Sequence, residues 1–170
     1  MNKLYGIADL HFGHKNIIEY ETRPYRDVSH MDKSLIKNWN STVTKKDKIL
    51  VAGDFSFLSK EDTKNVVSQL YGYKILIMGN HDRGRSIDWW YEVGFNEVYK
   101  HPIVYKDFLI VSHEPPDYIP NNTPYFYLYG HVHGSEMYKT ITKTSSCLSV
   151  ERWGYAPSSI DKIIEISKIV

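Results

Sequence analysis

Short apolar runs that alternate with segments of helical spacing place the strongest constraint on the fold of this chain. Six runs rich in Val, Ile, Leu and Tyr are bounded by turn or polar residues, a pattern that predicts strands. The runs are Leu4–Ala8, Ile49–Ala52, Lys74–Met78, Phe108–Val111, Tyr125–Tyr129 and Cys147–Val150. The fold is therefore expected to be organised around β-sheet.

Two segments between the first three runs carry apolar residues at helical spacing. The two stripes consist of Met31, Leu35 and Trp39, and of Val66, Val67 and Leu70. Ser29 or Asp32 is the predicted N-cap of the first helix, and Ser59 begins the second. The β-α-β-α-β order predicts an α/β fold with parallel strands and helices packed on the sheet.

The second half of the chain has shorter connections between its apolar runs. Shorter connections favour antiparallel or mixed strand pairing in this part of the fold. The last segment, Ser158–Val170, is compatible with either a strand or a short helix. Antiparallel or mixed pairing is therefore expected after the parallel first half.

Length and charge predict one globular domain over residues 1–170. A chain of 170 residues with 42% apolar and 24% charged residues falls within the range of a single domain. The net charge is +1, and the acids and bases are scattered rather than blocked. This distribution excludes the broad basic face of a dedicated nucleic-acid binder. A nucleic acid or a nucleotide is therefore considered only as a substrate.

The lack of a recognisable targeting signal and the low cysteine content favour a cytoplasmic protein. Residues Met1–Leu10 lack the pattern of a secretory signal, and no apolar stretch approaches the roughly 20 residues that span a bilayer. Cys147 is the single cysteine, which excludes an intrachain disulfide and a multi-cysteine zinc site. We expect Cys147 to be buried, and we expect neither membrane association nor an obligate protein partner.

Each of the first five apolar runs is followed by a side chain that can bind metal or substrate. These side chains are Asp9 and His11, Asp54, Asn80 and His81, His113, and His131 with His133. Ligands bind beyond the carboxyl ends of the strands in open α/β sheets. The sequence therefore predicts that these residues converge on one edge of the fold.

The spacing of these residues favours a metal centre with two ions. Asp9 and His11, like His131 and His133, lie two residues apart, which places both side chains on one side of an extended backbone. Taken singly, a histidine at a strand end or an aspartate after a strand is usually a surface residue or a cap. Without His81, seven candidate ligands remain; these are too many for one ion that also admits substrate, but they suit two ions sharing a carboxylate.

These motifs resemble the calcineurin-like metallophosphoesterase family, whose blocks read D-x-H, G-D, G-N-H-[DE], a lone H and G-H-x-H in that order. The blocks here are Asp9-Leu10-His11, Gly53-Asp54, Gly79-Asn80-His81-Asp82, His113 and Gly130-His131-Val132-His133. The resemblance runs from residue 9 to residue 133 with no block missing. The opening DLHFGHKNII, from Asp9 to Ile18, is also similar to small phosphoesterases of bacterial and phage origin.

The resemblance implies a four-layer α/β/β/α sandwich with mixed sheets and a ligand set for each of two ions. One ion would be held by Asp9, His11, Asp54 and His133, and the other by Asp54, Asn80, His113 and His131. Asp54 would bridge them, and a bridging hydroxide would attack phosphorus in line with the leaving group. His81 would act as general acid or stabilise the transition state. Ligation without thiolate favours Mn²⁺, Fe²⁺ or Zn²⁺ over Ca²⁺, with Mn²⁺ preferred.

Three basic residues near the predicted ligands are candidates for binding phosphate oxygens. They are His14, Arg23 and Arg83, and arginine matches phosphate geometry bidentately. The alternative for each is a solvated surface charge or a cap, and for Arg83 that alternative is favoured. Two longer loops, Lys15–Ser29 and Glu114–Pro124, are expected to overhang the site and to carry specificity.

The size of the chain favours phosphodiester hydrolysis, because 170 residues leave no cap domain to enclose a small monoester. A phosphomonoesterase or a nucleotide pyrophosphatase would need the same ligands, and a protein serine/threonine phosphatase would need a longer chain. A scaffold of the same fold without catalytic activity is the alternative of another class. Such scaffolds lose ligands or the catalytic histidine, and this sequence retains both.

Overall fold

The apolar runs form two sheets in the computed structural model, which describes residues 2–170, so that Met1 lies outside the described residues. The strands are β1 (Leu4–Ile7), β2 (Lys48–Val51), β3 (Tyr73–Ile77), β4 (Glu97–Tyr99), β5 (Ile103–Tyr105), β6 (Leu109–Val111), β7 (Phe126–Tyr129), β8 (Ser145–Cys147) and β9 (Ser158–Ser159). The α-helices are α1 (Ile17–Tyr20), α2 (Val28–Thr42), α3 (Lys60–Gln69), α4 (Ile87–Glu92) and α5 (Ile160–Ser167), and a 3₁₀ turn covers Val150–Arg152.

The first sheet has the order β4-β3-β2-β1-β9. The first four strands of the chain are parallel, with Tyr5 opposite Ile49 and Ile49 opposite Lys74. The short strand β9 pairs antiparallel with β1. The parallel arrangement predicted from the β-α-β-α-β order is confirmed, and the antiparallel edge makes the sheet mixed.

The second sheet has the order β5-β6-β7-β8. Strand β5 is antiparallel to β6, whereas β6, β7 and β8 are parallel to one another. Mixed pairing in the second half is confirmed. The predicted α/β class with two mixed sheets is therefore the observed one.

Both faces of the first sheet are buried, which explains why its strands are continuous apolar runs. Along β2, Ile49 and Val51 belong to the core shared with helices α2 and α3. Leu50, between them, belongs to the core that includes Leu109 and Leu128 of the second sheet. Successive side chains of a strand point to opposite faces, so one strand contributes to both cores. This packing fixes the second sheet against the first.

Helix starts agree with the sequence prediction in one case and differ in another. Ser59 caps α3, as predicted, and its hydroxyl accepts a hydrogen bond from the backbone N–H of Asp62. The cap of α2 is Asp27, which accepts from the N–H of His30 at 2.7 Å. The prediction of Ser29 or Asp32 was wrong because both lie inside the helix. The Asp32 carboxylate instead accepts the N–H of Gly13, which ties α2 to the first ligand loop.

The C-terminal part of the chain departs most from the predicted elements. The strand is Ser145–Cys147 rather than Cys147–Val150, because the chain turns at Ser149 into the 3₁₀ turn. Cys147 is fully buried, as predicted. The last segment forms the two-residue strand β9 followed by helix α5. Strands β4 and β5 were not predicted, because runs of three residues give too little periodicity.

Within residues 2–170, no helix is long and apolar enough to cross a membrane. The longest one, α2, has 15 residues.

We expect Asp27→Ala to lower the free energy of unfolding by about 1 kcal/mol, because it removes an acceptor for the free N–H groups of the first turn of α2. Ser29→Ala is the matched control. Ser29 is exposed within the helix, where alanine is well tolerated, so its free energy of unfolding should change by less than about 0.5 kcal/mol. Denaturant unfolding of both variants measures the difference. A larger loss in Ser29→Ala would contradict the assignment of the cap.

Candidate metal centre

The carboxyl ends of parallel strands from both sheets meet at one edge, where they carry the predicted ligands. Asp9 follows β1, Asp54 follows β2 and Asn80 follows β3, while His113 follows β6 and His131 follows β7. Backbone hydrogen bonds join neighbouring loops, from the Asp9 N–H to the Gly53 carbonyl at 3.0 Å and from the Gly130 N–H to the His113 carbonyl at 2.8 Å. The Asp9 carboxylate accepts the His131 N–H at 2.9 Å, which connects the two sheets.

Five of the predicted ligands have a left-handed backbone conformation. Their φ angles lie between 45° and 70°, and the residues are Asp9, His11, Asp54, His131 and His133. Non-glycine residues seldom adopt this region, and strained backbone of this kind clusters at functional sites. The hydrogen bonds between the loops hold these residues in place and so set the direction of the ligand side chains.

Glycine is required where two ligand loops approach most closely. A Cβ atom on Gly79 would collide with the Asp54 carboxylate, and one on Gly53 would collide with the His113 ring. Gly53 also has a φ of +85°, which other residues rarely adopt. The glycines before Asp54 and Asn80 therefore allow the ligand side chains to pack against backbone.

The first ligand group combines Asp54, His113 and His131, with Asn80 between the two rings. Nε2 of His113 lies 2.9 Å, and Nδ1 of His131 lies 3.1 Å, from Oδ1 of Asn80. The two ring nitrogens are 3.1 Å apart, and Asp54 Oδ2 is 3.3 Å from His113 Nε2. Potential ligand atoms from four loops thus converge on a small volume, as an ion would require.

The second ligand group consists of Asp9, His11 and His133. Asp9 is fully buried and accepts a 2.5 Å hydrogen bond from the Ser149 hydroxyl. Nε2 of His11 is buried and has no hydrogen-bond partner among the described residues. Buried polar atoms are almost always satisfied, so an unpaired imidazole nitrogen facing carboxylates fits a metal ligand.

Asp54 lies between the two groups. Its Oδ2 is 3.7 Å from His11 Nε2 in one group and 3.3 Å from His113 Nε2 in the other. Its Oδ1 accepts the backbone N–H of His81 at 3.0 Å, which fixes the orientation of the carboxylate. Asp54 therefore has the position that a bridging ligand needs.

The pKa shifts in the cluster reflect burial and the contacts between its charged groups. Burial raises the pKa of Asp9 to about 6 and lowers the pKa of His11 to about 2. Burial alone would lower the pKa of His113, but Asp54 and Asp9 raise it to about 9. Burial would likewise raise the pKa of Asp54, but the contact with His113 outweighs it and lowers the pKa to about 2. A proton on His113 thus provides the positive charge that a divalent ion would supply, so the donor set fits such ions.

His81 lies at the open side of the cluster. Its side chain is 47% exposed, and its Nε2 is 4.0 Å from Asp54 Oδ2. The His81 ring contacts those of His11 and Phe57, with centroids 5.7 Å and 5.0 Å away. The imidazole therefore faces both the ligand cluster and solvent, where an incoming ester would lie.

Two of the three predicted phosphate-binding residues have side chains that are at least partly exposed. His14 stacks on Phe57 with centroids 4.2 Å apart, and its Nδ1 is 3.3 Å from His11 Nδ1. Arg83 forms a bidentate ion pair with Glu114, and both side chains are more than a third exposed. The structure thus brings His14 to the ligands and leaves Arg83 at the surface, two residues beyond His81.

Arg23 occupies a different position from the predicted one. Its side chain is fully buried, and its guanidinium donates to the carbonyls of Asp9 and Leu10 and to the Glu151 carboxylate. A guanidinium enclosed in this way is not available to substrate, so the prediction that Arg23 binds phosphate was wrong. Arg23 supports the loop that carries Asp9 and His11.

Three buried side chains of the site were given no role from the sequence. Asp82 accepts the backbone N–H groups of Asp54, Phe55 and Gly79, and burial raises its pKa to about 7. Ser149 donates to Asp9, and Glu151 lies 3.2 Å from His133. Asp82 belongs to the G-N-H-[DE] block, which could have indicated it. Ser149 and Glu151 follow the last block, where no motif marks them.

Two curated relatives match the chain. It is 35% identical over 181 aligned positions to an uncharacterized protein of Methanocaldococcus jannaschii, MJ1445, with 100% of this chain and 96% of the relative covered. It is 36% identical over 85 positions to the gene 66 protein of Mycobacterium phage L5, an alignment that covers 48% of this chain and 41% of the phage protein.

A solved structure has a similar fold over the whole chain. The protein of unknown function AQ665 from Aquifex aeolicus superimposes with a TM-score of 0.72 at 26% sequence identity. The superposition covers 100% of both chains. The arrangement of the two sheets is therefore shared with a solved structure.

The family relationship explains why the ligands converge. The family model for calcineurin-like phosphoesterases matches residues 3–162, which include both sheets and every predicted ligand. The resemblance inferred from the motifs is confirmed, and the two ligand groups are candidates for the metal-binding residues. The chain belongs to the calcineurin-like phosphoesterase family and is a metal-dependent phosphoesterase.

Proposed function

We propose that this phosphoesterase hydrolyses phosphodiesters, including those of nucleotides or nucleic acids, at a centre with two divalent ions. The observation that carries the proposal is the open side of the ligand cluster, where His81 and His131 are both exposed beside the buried Asp54. An ester with two bulky substituents can approach such a surface without being enclosed. A phosphate ester on this side would lie next to the His81 imidazole.

The two ligand groups support the assignment of the ions. Asp9, His11 and His133 would hold one ion, Asn80, His113 and His131 would hold the other, and Asp54 would bridge them. When bound, such ions polarise the phosphate and supply hydroxide near neutral pH. Nitrogen and oxygen donors without thiolate suit Mn²⁺, Fe²⁺ or Zn²⁺, and we favour Mn²⁺.

His81 would protonate the leaving oxygen. Its imidazole is not needed by either ligand group, so it is free to donate a proton as the ester bond breaks. The backbone N–H of His81 donates a hydrogen bond to the Asp54 carboxylate, which fixes the backbone of His81 relative to the ligands. This position gives His81 a role that a metal ligand could not perform.

His14 and Arg83 would contact the phosphate oxygens. Nδ1 of His14 lies 3.3 Å from Nδ1 of His11, and Arg83 follows His81 by two residues. The Arg83–Glu114 pair is exposed, and exposed pairs contribute little to stability. The Arg83 guanidinium can therefore exchange its carboxylate partner for a phosphate at low cost.

We expect the chelator-treated protein to hydrolyse bis-para-nitrophenyl phosphate only after Mn²⁺ is added, and faster than para-nitrophenyl phosphate. His81→Ala should lower kcat by about 10²- to 10⁴-fold, because the leaving oxygen loses its proton donor. Mn²⁺ binding to the variant should stay unchanged. His101→Ala, at an exposed histidine between β4 and β5, is the matched control and should keep full activity.

Other results of this assay would redirect the proposal. Faster hydrolysis of the monoester would indicate a phosphomonoesterase, and selective cleavage of nucleoside triphosphates would indicate a nucleotide pyrophosphatase. If the protein binds two ions and hydrolyses none of these esters, the scaffold alternative takes first place.

We expect Arg83→Gln to raise KM about tenfold with little change in kcat, since one charged hydrogen bond to bound phosphate contributes about 1.4 kcal/mol. Lys60→Gln is the control, because Lys60 is also an exposed cation paired with an acid, Glu92. Steady-state kinetics with the diester measures both variants. An equal effect of the two substitutions would indicate a loss of general surface charge and would show that Arg83 does not bind the phosphate.

A further inference from the structure

We propose that Glu151 is a positioning residue that fixes His133 as a metal ligand, and that Arg23 holds Glu151 in place. This inference rests on the proposed two-ion centre and assigns the residues that orient one of its ligands. Glu151 lies outside the five sequence blocks and comes from the 3₁₀ turn after β8.

The contact between His133 and Glu151 defines which ring nitrogen faces the ion. Nδ1 of His133 is 3.2 Å from Oε1 of Glu151, and the two side chains are only 15% and 7% exposed. An imidazole that donates its Nδ1–H to a carboxylate carries its lone pair on Nε2. Nε2 is then the nitrogen left to bind the ion that Asp9 and His11 would also hold.

Arg23 holds the Glu151 carboxylate through the oxygen that also contacts His133. Its Nε and Nη2 atoms donate to the same Oε1 at 3.0 Å and 2.6 Å. The guanidinium also donates to the carbonyl of Asp9 at 2.7 Å and to that of Leu10 at 2.9 Å. One arginine thus links the loop of Asp9 and His11 with the carboxylate that orients His133.

The local charges argue against a separate ion at Glu151. Glu21, His133 and Glu151 have oxygen and nitrogen atoms close enough to form a third ligand group. The Arg23 guanidinium already neutralises the Glu151 carboxylate, which weakens the attraction of this carboxylate for a further cation. The group is therefore the support of the Asp9–His11–His133 ion.

The test is a Mn²⁺ titration of chelator-treated protein, with free Mn²⁺ measured by electron paramagnetic resonance. The wild type should bind two ions. Glu151→Gln should bind one ion with unchanged affinity and the other about 10- to 100-fold more weakly, since substitution of an outer partner has effects of this size. Glu21→Gln is the matched control, because it removes the same charge from the same cluster and should leave both affinities within about twofold of the wild type.

The outcomes separate this inference from the proposed function. A wild type that binds fewer than two ions would reject the two-ion centre itself. Two ions in the wild type with equal affinities in Glu151→Gln would reject the inference alone. A similar loss in Glu21→Gln would show that general charge, rather than the contact with His133, is responsible.

A second measurement uses only the wild type, so it does not depend on the variant folding. Nitrogen NMR of the Zn²⁺-loaded protein reports which ring nitrogen of His133 carries the proton. We expect a protonated Nδ1 with the metal on Nε2. Metal on Nδ1 would overturn the proposal.

Discussion

The position of the Asp54 carboxylate between imidazoles of both sheets is the constraint on which the rest of the site depends. One of its oxygens lies within 4 Å of His11 and His113, and the other accepts the N–H of His81. This carboxylate is buried, so its charge must be balanced locally. Positive charge at this position satisfies Asp54 and at the same time joins the two sheets.

Buried polar contacts hold the ligand loops in conformations that the residues themselves disfavour. Asp82 accepts three backbone N–H groups, and Arg23 donates to two backbone carbonyls of the first loop. Residues in sparsely populated backbone regions cost about 1–3 kcal/mol each and persist only when their surroundings fix them. The apolar cores on both faces of the first sheet supply the stability that this strained edge needs.

Local patterns predicted the candidate ligands, whereas contacts between distant residues were not predictable from them. Asp9, Asp54 and His113 were predicted as ligands because each follows an apolar run, a relation contained within a few residues. Arg23 was misassigned because its partner Glu151 is 128 residues away in the chain. The strand predicted at Cys147–Val150 was displaced because Ser149 turns toward Asp9, a contact made across the fold. Sequence periodicity therefore predicts helices and strands well, but it does not predict polar contacts between residues far apart in the chain.

The most direct test of the two-ion centre is a crystal soaked in Mn²⁺, with diffraction measured at the manganese absorption edge. Two anomalous peaks are expected, one beside Asp9, His11 and His133 and the other beside Asn80, His113 and His131, with the Asp54 carboxylate between them. A single peak, or peaks away from Asp54, would contradict the account.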